Sequence, residues 1–324
     1  MSRVSVVMVN YGTADLAIAG IESVLAQTHA AHLVDLHVVD NASPAGDAAR
    51  LAEAALQAHW HGRVTLYLEQ ENHGFGRGCN LVFDRLAALA VPPDYVFLLN
   101  PDARLRNDAI VRLVDFLESH LTAAIAGAKI SMPGVGARVA AFRFPSVIGQ
   151  FGNAVAFGPI SRLFRHWDIA LSKDLGTQKV DWVAGAAMMA RFSVIRQLGG
   201  FDPVFFLYFE EVDLMARARA AGWYTWYVAE AEVDHEEGAA THVGGVSAEL
   251  QRTPGYWYES WRHYFQRRHG RTIALLAAAA LLSGTALNVL ISRMLGRESA
   301  APLRFFGDFW THAVSPLLGL KKEP

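Results

Sequence analysis

The stretch YVFLLNPD, residues 95–102, combines a short apolar run with a polar end. Tyr95–Leu99 is uncharged and rich in strand-forming residues, which predicts a buried β-strand. Asn100-Pro101-Asp102 then has the composition of a strand-ending turn, and that is its simplest interpretation. At the carboxyl edge of a parallel sheet, however, α/β enzymes collect their ligands. Asp102 is therefore a candidate metal ligand, provided that other polar groups meet it there.

Apolar β-branched runs alternate with helical patterns on both sides of this stretch. We predict strands at 4–9, 36–40, 64–69, 95–99 and 124–130, and helices at 14–26, 47–59, 77–89 and 107–119. This alternation is typical of a mostly parallel sheet flanked by crossover helices. The first two strands end in Val9-Asn10-Tyr11 and in Asp40, so three strand ends present Asn or Asp at one edge.

The later part of the chain is less regular at first. Residues 132–178 contain Pro133, Pro145 and Pro159 and indicate an irregular loop region. Beyond them, Asp181–Met189 has the composition of one buried strand. Aromatic residues then lead into the carboxylates Glu210, Glu211 and Asp213 at the start of a predicted helix that ends before Gly222.

Composition excludes several classes of protein. The chain has 324 residues and a formal net charge of −2, so no general positive field would recruit nucleic acid. Cys79 is the only cysteine, which excludes an internal disulfide and a Cys-rich zinc site and suits a reducing compartment. The first residues lack the pattern of a cleaved export signal, so we expect no export.

Two short motifs are similar to known catalytic signatures but do not match them. Residues 72–80, NHGFGRGCN, follow a predicted strand and open a helix, so their amides could face an anion. Their glycine spacing is not that of the dinucleotide fingerprint, and a plain glycine turn is the alternative. His235 begins HEEGA, in which Ala239 replaces the second histidine of the metalloprotease motif. A zinc hydrolase is therefore disfavoured.

The C-terminal part contains an uncharged apolar segment, residues 272–292, between Arg271 and Arg293. Its length would suffice to cross a bilayer. Basic residues on both flanks and the aromatic tail Phe305–Trp310, with Arg304, Lys321 and Lys322, favour a helix at an anionic membrane surface. A true span and a buried packing or oligomer helix remain alternatives. We predict a catalytic domain over 1–245 and a helical, membrane-associating extension over 246–324.

Together, the polar groups are suited to a nucleotide diphosphate and a divalent cation. Asp40 could accept a hydrogen bond from a base, Asp102 could bind the metal, and His235 could complete its ligands. One carboxylate at 210, 211 or 213 could then deprotonate an incoming hydroxyl. Taken singly, each residue has an ordinary alternative, such as a helix cap, a first-turn carboxylate or a surface histidine.

The ordered set of motifs resembles the family 2 glycosyltransferases, most closely the rhamnosyltransferase type. The resemblance covers residues 3–240 and rests on VVMVNY at 6–11, VVDNAS at 38–43, NHGFGRGCN at 72–80, LLNPD at 98–102, GGFD at 199–202 and FEEVDL at 209–214. It implies a GT-A fold and transfer of a sugar, with inversion, from a nucleotide diphosphate donor.

The resemblance also implies roles by position. Val9, Asn10, Tyr11, Asp40, Asn72, Gly74, Asn80 and Asn100 would bind the donor nucleotide; Asp102 and His235 would bind the metal; Glu211 would be the catalytic base; Glu210, Asp213 and Trp182 would orient the base or the acceptor. Asn100 stands where the family's metal-binding Asp-x-Asp motif has its first aspartate. The lost carboxylate lowers the expected metal affinity and gives His235 more weight. Trp182 could equally be a core residue.

The sequence therefore predicts a metal-dependent, inverting glycosyltransferase that uses Mn²⁺ or Mg²⁺. The expected partners are a nucleotide-sugar donor, with dTDP-rhamnose before UDP- or GDP-sugars, a glycan or lipid-linked glycan acceptor, and the cytoplasmic face of the plasma membrane. A nucleotidyltransferase is an alternative, but Asn10–Thr13 offers no basic glycine-rich loop. A non-catalytic nucleotide-sugar-binding scaffold at a membrane is the second alternative.

Overall fold

The computed structural model describes residues 1–29, 32–57, 60, 62–236 and 252–320. Within them, strands β1 to β12 cover Arg3–Asn10, Leu33–Asp40, Val64–Leu68, Tyr95–Leu99, Ala103–Leu105, Ala123–Met132, Gly136–Ala137, Ala141–Phe142, Gln178–Val180, Trp182–Val183, Ala187–Arg191 and Tyr224–His235. Helices α1 to α11 cover Ala14–Leu25, Asp47–Gln57, Phe75–Ala87, Ala109–Ser119, Val147–Val155, Gly158–Phe164, Phe192–Leu198, Glu210–Ala220, Gly255–Met294, Phe305–Phe309 and Ser315–Leu317. Arg165–Trp167 is a 3₁₀ turn and Trp310–Val314 a π-helical turn.

The chain divides into two compact units. The sheet unit comprises residues 1–142, 171–203 and 210–245, and the helical unit comprises residues 143–170, 204–209 and 246–324. The predicted boundary at 245 lies outside the described residues. The helical unit also recruits two segments from before that boundary, so the division at 245 stays a prediction.

The main sheet of the sheet unit is mixed. Its strand order is β3-β2-β1-β4-β11-β6-β12-β5, with β7 beside β6 and β9 beside β12. Strands β3, β2, β1 and β4 are parallel, and β6 is parallel to β12. Strand β11 runs antiparallel between β4 and β6. The α/β sheet with flanking helices is thus confirmed, and the antiparallel insertion is an addition to the predicted pattern.

The core explains why the first four strands were readable from sequence. Every side chain of β4 is buried, and so are the apolar residues of β1 and most of β2, because helices cover the sheet. Strands that are buried on both faces are continuous apolar runs rather than alternating ones. The predicted strands and helices up to residue 130 all occur, with ends that differ by a few residues.

Two predictions beyond residue 130 are wrong. Asp181–Met189 is not one strand, because Trp182–Val183 pairs with β8 in a separate two-stranded sheet whereas Ala187–Arg191 pairs with β4. The chain changes partners at residues 184–186. The interval 132–178 is not merely a loop, since it contains α5 and α6. Helix α5 has a readable signal: the Ser146 hydroxyl accepts from the Gly149 amide as its N-cap.

The helical unit is organised around α9. This helix is interrupted at Gly270, where φ is 80° and ψ is 166°. Before the break, Tyr258, Trp261, Tyr264 and Phe265 form an aromatic core with Phe305 and Phe309. In the segment 204–209, Tyr208 and Phe209 both have positive φ, and the ring of Phe209 packs on Trp257 and Tyr264.

Candidate functional site

Asn10, at the end of β1, is the centre of a buried hydrogen-bond network. Its amide nitrogen donates to Asp40 Oδ1 at 2.9 Å and to Asp47 Oδ2 at 3.0 Å, and its side-chain oxygen accepts from the Thr13 hydroxyl at 2.8 Å. Asn10 and Asp40 face each other because β1 and β2 pair residue for residue. The structure therefore brings together two of the predicted donor-binding residues.

Ser43 and Asp47 complete this network and were not identified from sequence. The Ser43 hydroxyl donates to Asp40 Oδ1 at 2.6 Å and accepts from the Gly12 amide at 2.9 Å. Asp47 Oδ2 also accepts from the Ala14 amide at 2.9 Å, at the start of α1. A signal was present, since Ser43 follows the strand end in the motif VVDNAS, three residues after its partner Asp40, but its partner Gly12 is distant along the chain. The network holds the Asp40 carboxylate in one orientation.

A second polar group fixes the loop before α3. The amide nitrogen of Asn41 donates to Asn72 Oδ1 at 3.0 Å and to the Gly74 carbonyl at 3.1 Å. Asn41 Oδ1 accepts from the His73 amide, and Asn72 Oδ1 from the Gly74 amide. Both loop amides are thus satisfied by side chains. Any anion bound here would meet the amides that follow, in the first turn of α3.

Asn80 points to a different part of the unit. Its amide nitrogen donates to the Phe201 carbonyl at 2.8 Å, and its oxygen accepts from the Phe201 amide at 2.9 Å. These two bonds use the side chain to hold the turn at 199–201 against α3. A contact between Asn80 and the donor stays a prediction.

Asn100, Asp102 and His235 meet at the end of β4. Strand β12 is antiparallel to β5, and this pairing sets His235 opposite Ala103. His235 Nε2 lies 3.0 Å from Asp102 Oδ1 and 3.4 Å from the Asn100 amide nitrogen. Asp102 is buried. Two residues that are 133 positions apart in sequence are therefore in contact, and their role as metal ligands stays a prediction.

The carboxylates at the start of α8 have different environments. Burial, together with the nearby Glu211 charge, raises the pKa of Glu210 well above the usual value, and burial raises the pKa of Glu211. Among the described residues, Glu210 Oε2 and Glu211 Oε2 have no hydrogen-bond partner. Asp213 is paired with Arg217 at 2.6 Å, and Arg217 also donates to the carbonyls of Leu198 and Gly200.

Glu211 is suited to take a proton, and it is the one of the three carboxylates that is partly exposed, whereas Glu210 and Asp213 are buried. An oxygen without a partner can accept from an incoming group, and a raised pKa makes the carboxylate a stronger base near neutral pH. Glu210 lies beside Gly76, and burial, together with the nearby Glu210 charge, raises the pKa of the Cys79 thiol. Asp213 is held in an ion pair. The geometry thus separates the three carboxylates that the sequence left together.

Two residues connect Glu211 with the cluster at Asp102. The Glu211 side chain lies against Gly185, where an added Cβ would be 4.0 Å from Glu211 Cβ. The backbone carbonyl of the next residue, Ala186, accepts a hydrogen bond from the backbone N–H of Asn100 at 2.9 Å. The segment 184–186 therefore contacts both Glu211 and Asn100.

Trp182 packs in the small second sheet. Its ring stacks on Phe142 at 4.0 Å with an interplanar angle of 13°. The two residues are cross-strand partners in β10 and β8. Its role toward an acceptor stays a prediction, as does the role of Tyr11, which is exposed beyond β1.

The donor set at β4 fits a divalent cation in part. The described residues contain no group of three or more His, Cys, Asp or Glu side chains that could hold a metal. Asp102 and His235 supply one carboxylate and one imidazole, a combination that suits Mn²⁺ and admits Mg²⁺. With two strong protein ligands, the remaining positions would fall to donor phosphates and water, as is usual for cations that bind with a nucleotide.

The sequence matches a known family along most of its length. A family model described as glycosyltransferase like family 2 matches residues 2–244. An N-acetylglucosaminyl-diphospho-decaprenol L-rhamnosyltransferase of Mycobacterium tuberculosis is 30% identical over 217 residues, covering 64% of this chain and 68% of the relative. Rhamnosyltransferase WbbL of Escherichia coli is 26% identical over 164 residues, covering 50% of this chain and 60% of that protein.

Solved structures with similar folds support the architecture. The mannosyltransferase PcManGT from Pyrobaculum calidifontis, in complex with GDP-Man and Mn²⁺, has a TM-score of 0.54 and 16% identity, covering 99% of this chain and 81% of its own. GalNAc-T7 with UDP, GalNAc and Mn²⁺ has a TM-score of 0.58 and 14% identity, covering 99% and 58%. At these identities the likeness concerns the fold. The chain therefore belongs to the family 2 glycosyltransferases, has the GT-A fold and is a glycosyltransferase.

Proposed function

We propose that the protein is an inverting, metal-assisted rhamnosyltransferase. It moves rhamnose from dTDP-rhamnose to a hydroxyl group of a lipid-linked glycan at the cytoplasmic face of the plasma membrane. The two relatives that are named rhamnosyltransferases support the sugar, and the decaprenol in one of those names supports a lipid-linked acceptor. The proposed reaction rests on the environment of Glu211. Its carboxylate has a raised pKa and an oxygen without a hydrogen-bond partner, and it lies beside Gly185, in the segment 184–186 that bonds to the Asn100 backbone.

The Asn10 network orients the donor nucleotide. Asp40 is buried and accepts from Asn10 and Ser43 through Oδ1, which leaves Oδ2 with capacity for a base N–H donor. The backbone N–H of Ser43 donates to Asp40 Oδ2 at 3.3 Å, and this oxygen can accept a second hydrogen bond. Val9 and Tyr11 flank this position at the end of β1. A hydrogen-bond acceptor that is held in one orientation, as the Asp40 carboxylate is, favours one nucleotide base over the others.

Asp102 and His235 would hold the divalent cation, with Asn100 beside them. A bound cation supplies positive charge that stabilises the leaving nucleotide diphosphate. The first turn of α3 supplies amide dipoles of the same sign. Because the family's first aspartate is Asn100 here, the site has fewer negative charges, and we expect modest cation affinity without donor.

Glu211 acts as general base. Its carboxylate takes the proton of the acceptor hydroxyl as the oxygen attacks the anomeric carbon from the face opposite the diphosphate. The bond from the anomeric carbon to the diphosphate oxygen breaks, the new bond to the acceptor oxygen forms, and the configuration inverts. Glu210 and Asp213 take no proton in this step. Glu210 contributes a neighbouring charge, and Asp213 anchors α8 through its ion pair with Arg217.

The base assignment is tested by Glu211→Gln. The amide keeps the size of the side chain but cannot take the proton, so transfer should fall by about 10²–10⁴-fold. Donor affinity, measured by calorimetry with the nucleotide diphosphate, should stay the same. Glu22→Gln, on the exposed side of α1, is the matched control and should retain activity. Undiminished turnover of Glu211→Gln would exclude Glu211 as the base.

The metal assignment is tested by Asp102→Ala. Removal of the Asp102 carboxylate should lower Mn²⁺ binding, measured by electron paramagnetic resonance, and lower transfer by at least about a hundredfold. Asp84→Ala, an exposed site on α3, should change neither quantity. Parent activity that survives EDTA, combined with an active Asp102→Ala protein, would rule out the metal site.

A further inference from the structure

The second half of α9 has an inverted distribution of side chains. In this apolar arm, defined as Arg271–Met294, the buried positions are small or polar, namely Ala274, Ala277, Ala278, Gly284, Thr285, Asn288 and Ser292. The exposed positions include Leu276 at 52%, Leu290 at 56% and Met294 at 77% exposure. A helix in water normally buries its large apolar side chains. The outward face of the apolar arm is therefore suited to a non-aqueous environment.

The inward face is fixed against α5, a helix of the same unit. A Cβ added at Gly284 would lie 2.7 Å from the Phe151 carbonyl oxygen and 2.9 Å from Ala154 Cβ. The Asn288 amide nitrogen donates to the Val155 carbonyl at 2.9 Å. Helix α5 has 9 residues, about 14 Å of length, which is too short to cross a bilayer.

The chain after the apolar arm turns back along it. The Ala300 amide donates to Asn288 Oδ1 at 3.0 Å, and Phe309 reaches Trp261 with ring centroids 5.0 Å apart. The returning segment 295–304 is not helical and contains Arg297, Glu298 and Arg304. In a transmembrane arrangement this segment would place open backbone and charges inside the hydrocarbon, where neither is tolerated in contact with lipid.

Charge distinguishes this part of the chain from the rest. Residues 252–320 contain eight arginines and three acidic residues, a net charge of +5, whereas the whole chain carries −2. Arg268, Arg271, Arg293 and Arg297 are exposed at the two ends of the apolar arm. Arginines that flank an apolar helix face are complementary to the headgroups of anionic lipids.

We infer that the apolar arm lies in one leaflet of an anionic membrane, parallel to its plane, and does not span it. The helix is long and apolar enough for a span by composition, and only 33% of its most apolar window is buried, unlike the core helix of a soluble protein. The returning segment 295–304 argues against a simple crossing. The exposed Leu276 and Leu290 enter the acyl region and the arginines contact the headgroups. The proposed lipid-linked acceptor gives this membrane contact a function, but the inference itself is argued from the apolar arm and its flanking arginines.

Flotation of the full-length protein with vesicles tests the surface. We expect binding to a roughly 3:7 mixture of phosphatidylglycerol and phosphatidylcholine, and at least about tenfold weaker binding to phosphatidylcholine alone. Leu276→Glu with Leu290→Glu should reduce binding to the mixture by at least about tenfold. The matched control is Leu56→Glu with Leu89→Glu, two leucines of the sheet unit with 88% and 49% exposure, and it should bind like the parent.

A labelling experiment separates a surface helix from a span. Cys79 is buried, so single cysteines introduced as Thr272→Cys or Glu298→Cys can be detected with a membrane-impermeant maleimide. In sealed inverted membrane vesicles both positions should react from the outside. Reaction of only one of them would establish a span and overturn the inference.

Two further results would also contradict the membrane surface. Equal flotation of the Leu276/Leu290 variant and its control would exclude this face. A parent dimer in ultracentrifugation without lipid, lost in the Leu276/Leu290 variant, would identify a second copy of the chain as the occupant. Transfer to a soluble acceptor analogue, measured on the same variants, is expected to be unchanged. Loss of vesicle binding with retained transfer therefore separates this inference from the proposed reaction.

Discussion

At the scale of single residues, the surroundings distinguish side chains that carry the same carboxylate group. Glu210, Glu211 and Asp213 lie within four positions, yet only Asp213 is neutralised by a bonded arginine. Burial raises the pKa of both glutamates, and the nearby Glu211 charge raises that of Glu210 further. Glu211 is thus the carboxylate with both a raised pKa and a place beside the segment that binds Asn100.

The raised pKa of Glu211 predicts the acid limb of the pH–rate profile. The carboxylate is the active form, so activity is present above its pKa and is lost as pH falls through it. Because burial shifts that pKa upward from 4.5, the limb should lie above pH 4.5. Transfer rates measured across pH with saturating donor provide the test, with unfolding followed by circular dichroism at each pH. A limb at or below pH 4.5 in folded protein would contradict the assignment.

At the scale of elements, the turn between α7 and α8 shows how a helix secures a distant loop. Gly199 and Gly200 have φ of 74° and 71°, so both adopt the left-handed conformation. An added Cβ at Gly200 would collide with Asn80 Oδ1, whereas at Gly199 it would meet nothing within 4 Å. Asn80 holds the next residue, Phe201, and the turn is therefore closely fitted on one side.

Gly200→Ala should consequently destabilise the protein more than Gly199→Ala. Each change carries about 1 kcal/mol for a non-glycine residue in the left-handed region. At Gly200 the displaced Asn80 side chain also loses hydrogen bonds, at about 1 kcal/mol each. Urea unfolding should give a total of about 2–3 kcal/mol for Gly200→Ala and about 1 kcal/mol for Gly199→Ala. Equal losses in the two variants would show that the Asn80 contact contributes nothing.

At the scale of the whole molecule, the two units differ in what they offer a ligand. The sheet unit presents a polar edge built from β1, β2, β4 and β12. The helical unit presents an apolar, arginine-flanked face. A nucleotide sugar fits the chemistry of the first and a lipid surface fits that of the second, which is the pairing of substrates that the proposed reaction needs.

A panel of nucleotide sugars should identify the donor. A ligand that binds only the folded state stabilises it by about 2.7 kcal/mol when present at about a hundred times its dissociation constant. We expect dTDP-rhamnose with Mn²⁺ to raise the melting temperature by a few degrees, and UDP- and GDP-sugars to raise it less. Asp40→Asn should lose the preference among bases. A larger shift with a UDP- or GDP-sugar would reassign the donor while leaving the family unchanged.

The sequence by itself determined the first half of the fold and the family. Strands such as Tyr95–Leu99 are buried on both faces, so their apolar composition identifies them without tertiary information. The strand ends identified Asp40 and Asp102 as candidates, because parallel strands end at one edge of the sheet. The roles of Glu211 and His235 came from the resemblance to the family.

Only the tertiary structure decided which groups meet and which are already in use. Ser43 and Asp47 accept from the Asn10 side chain across different elements, and the Asn80 side chain bonds to the Phe201 backbone; these pairs are between 33 and 121 positions apart. The change of strand partners at residues 184–186 depends on pairing with β8 and β4, which composition does not encode. The outward face of the apolar arm follows from the packing of Gly284 and Asn288 against α5. Hydrophobicity specifies that a segment leaves water, whereas long-range packing specifies which of its faces does so.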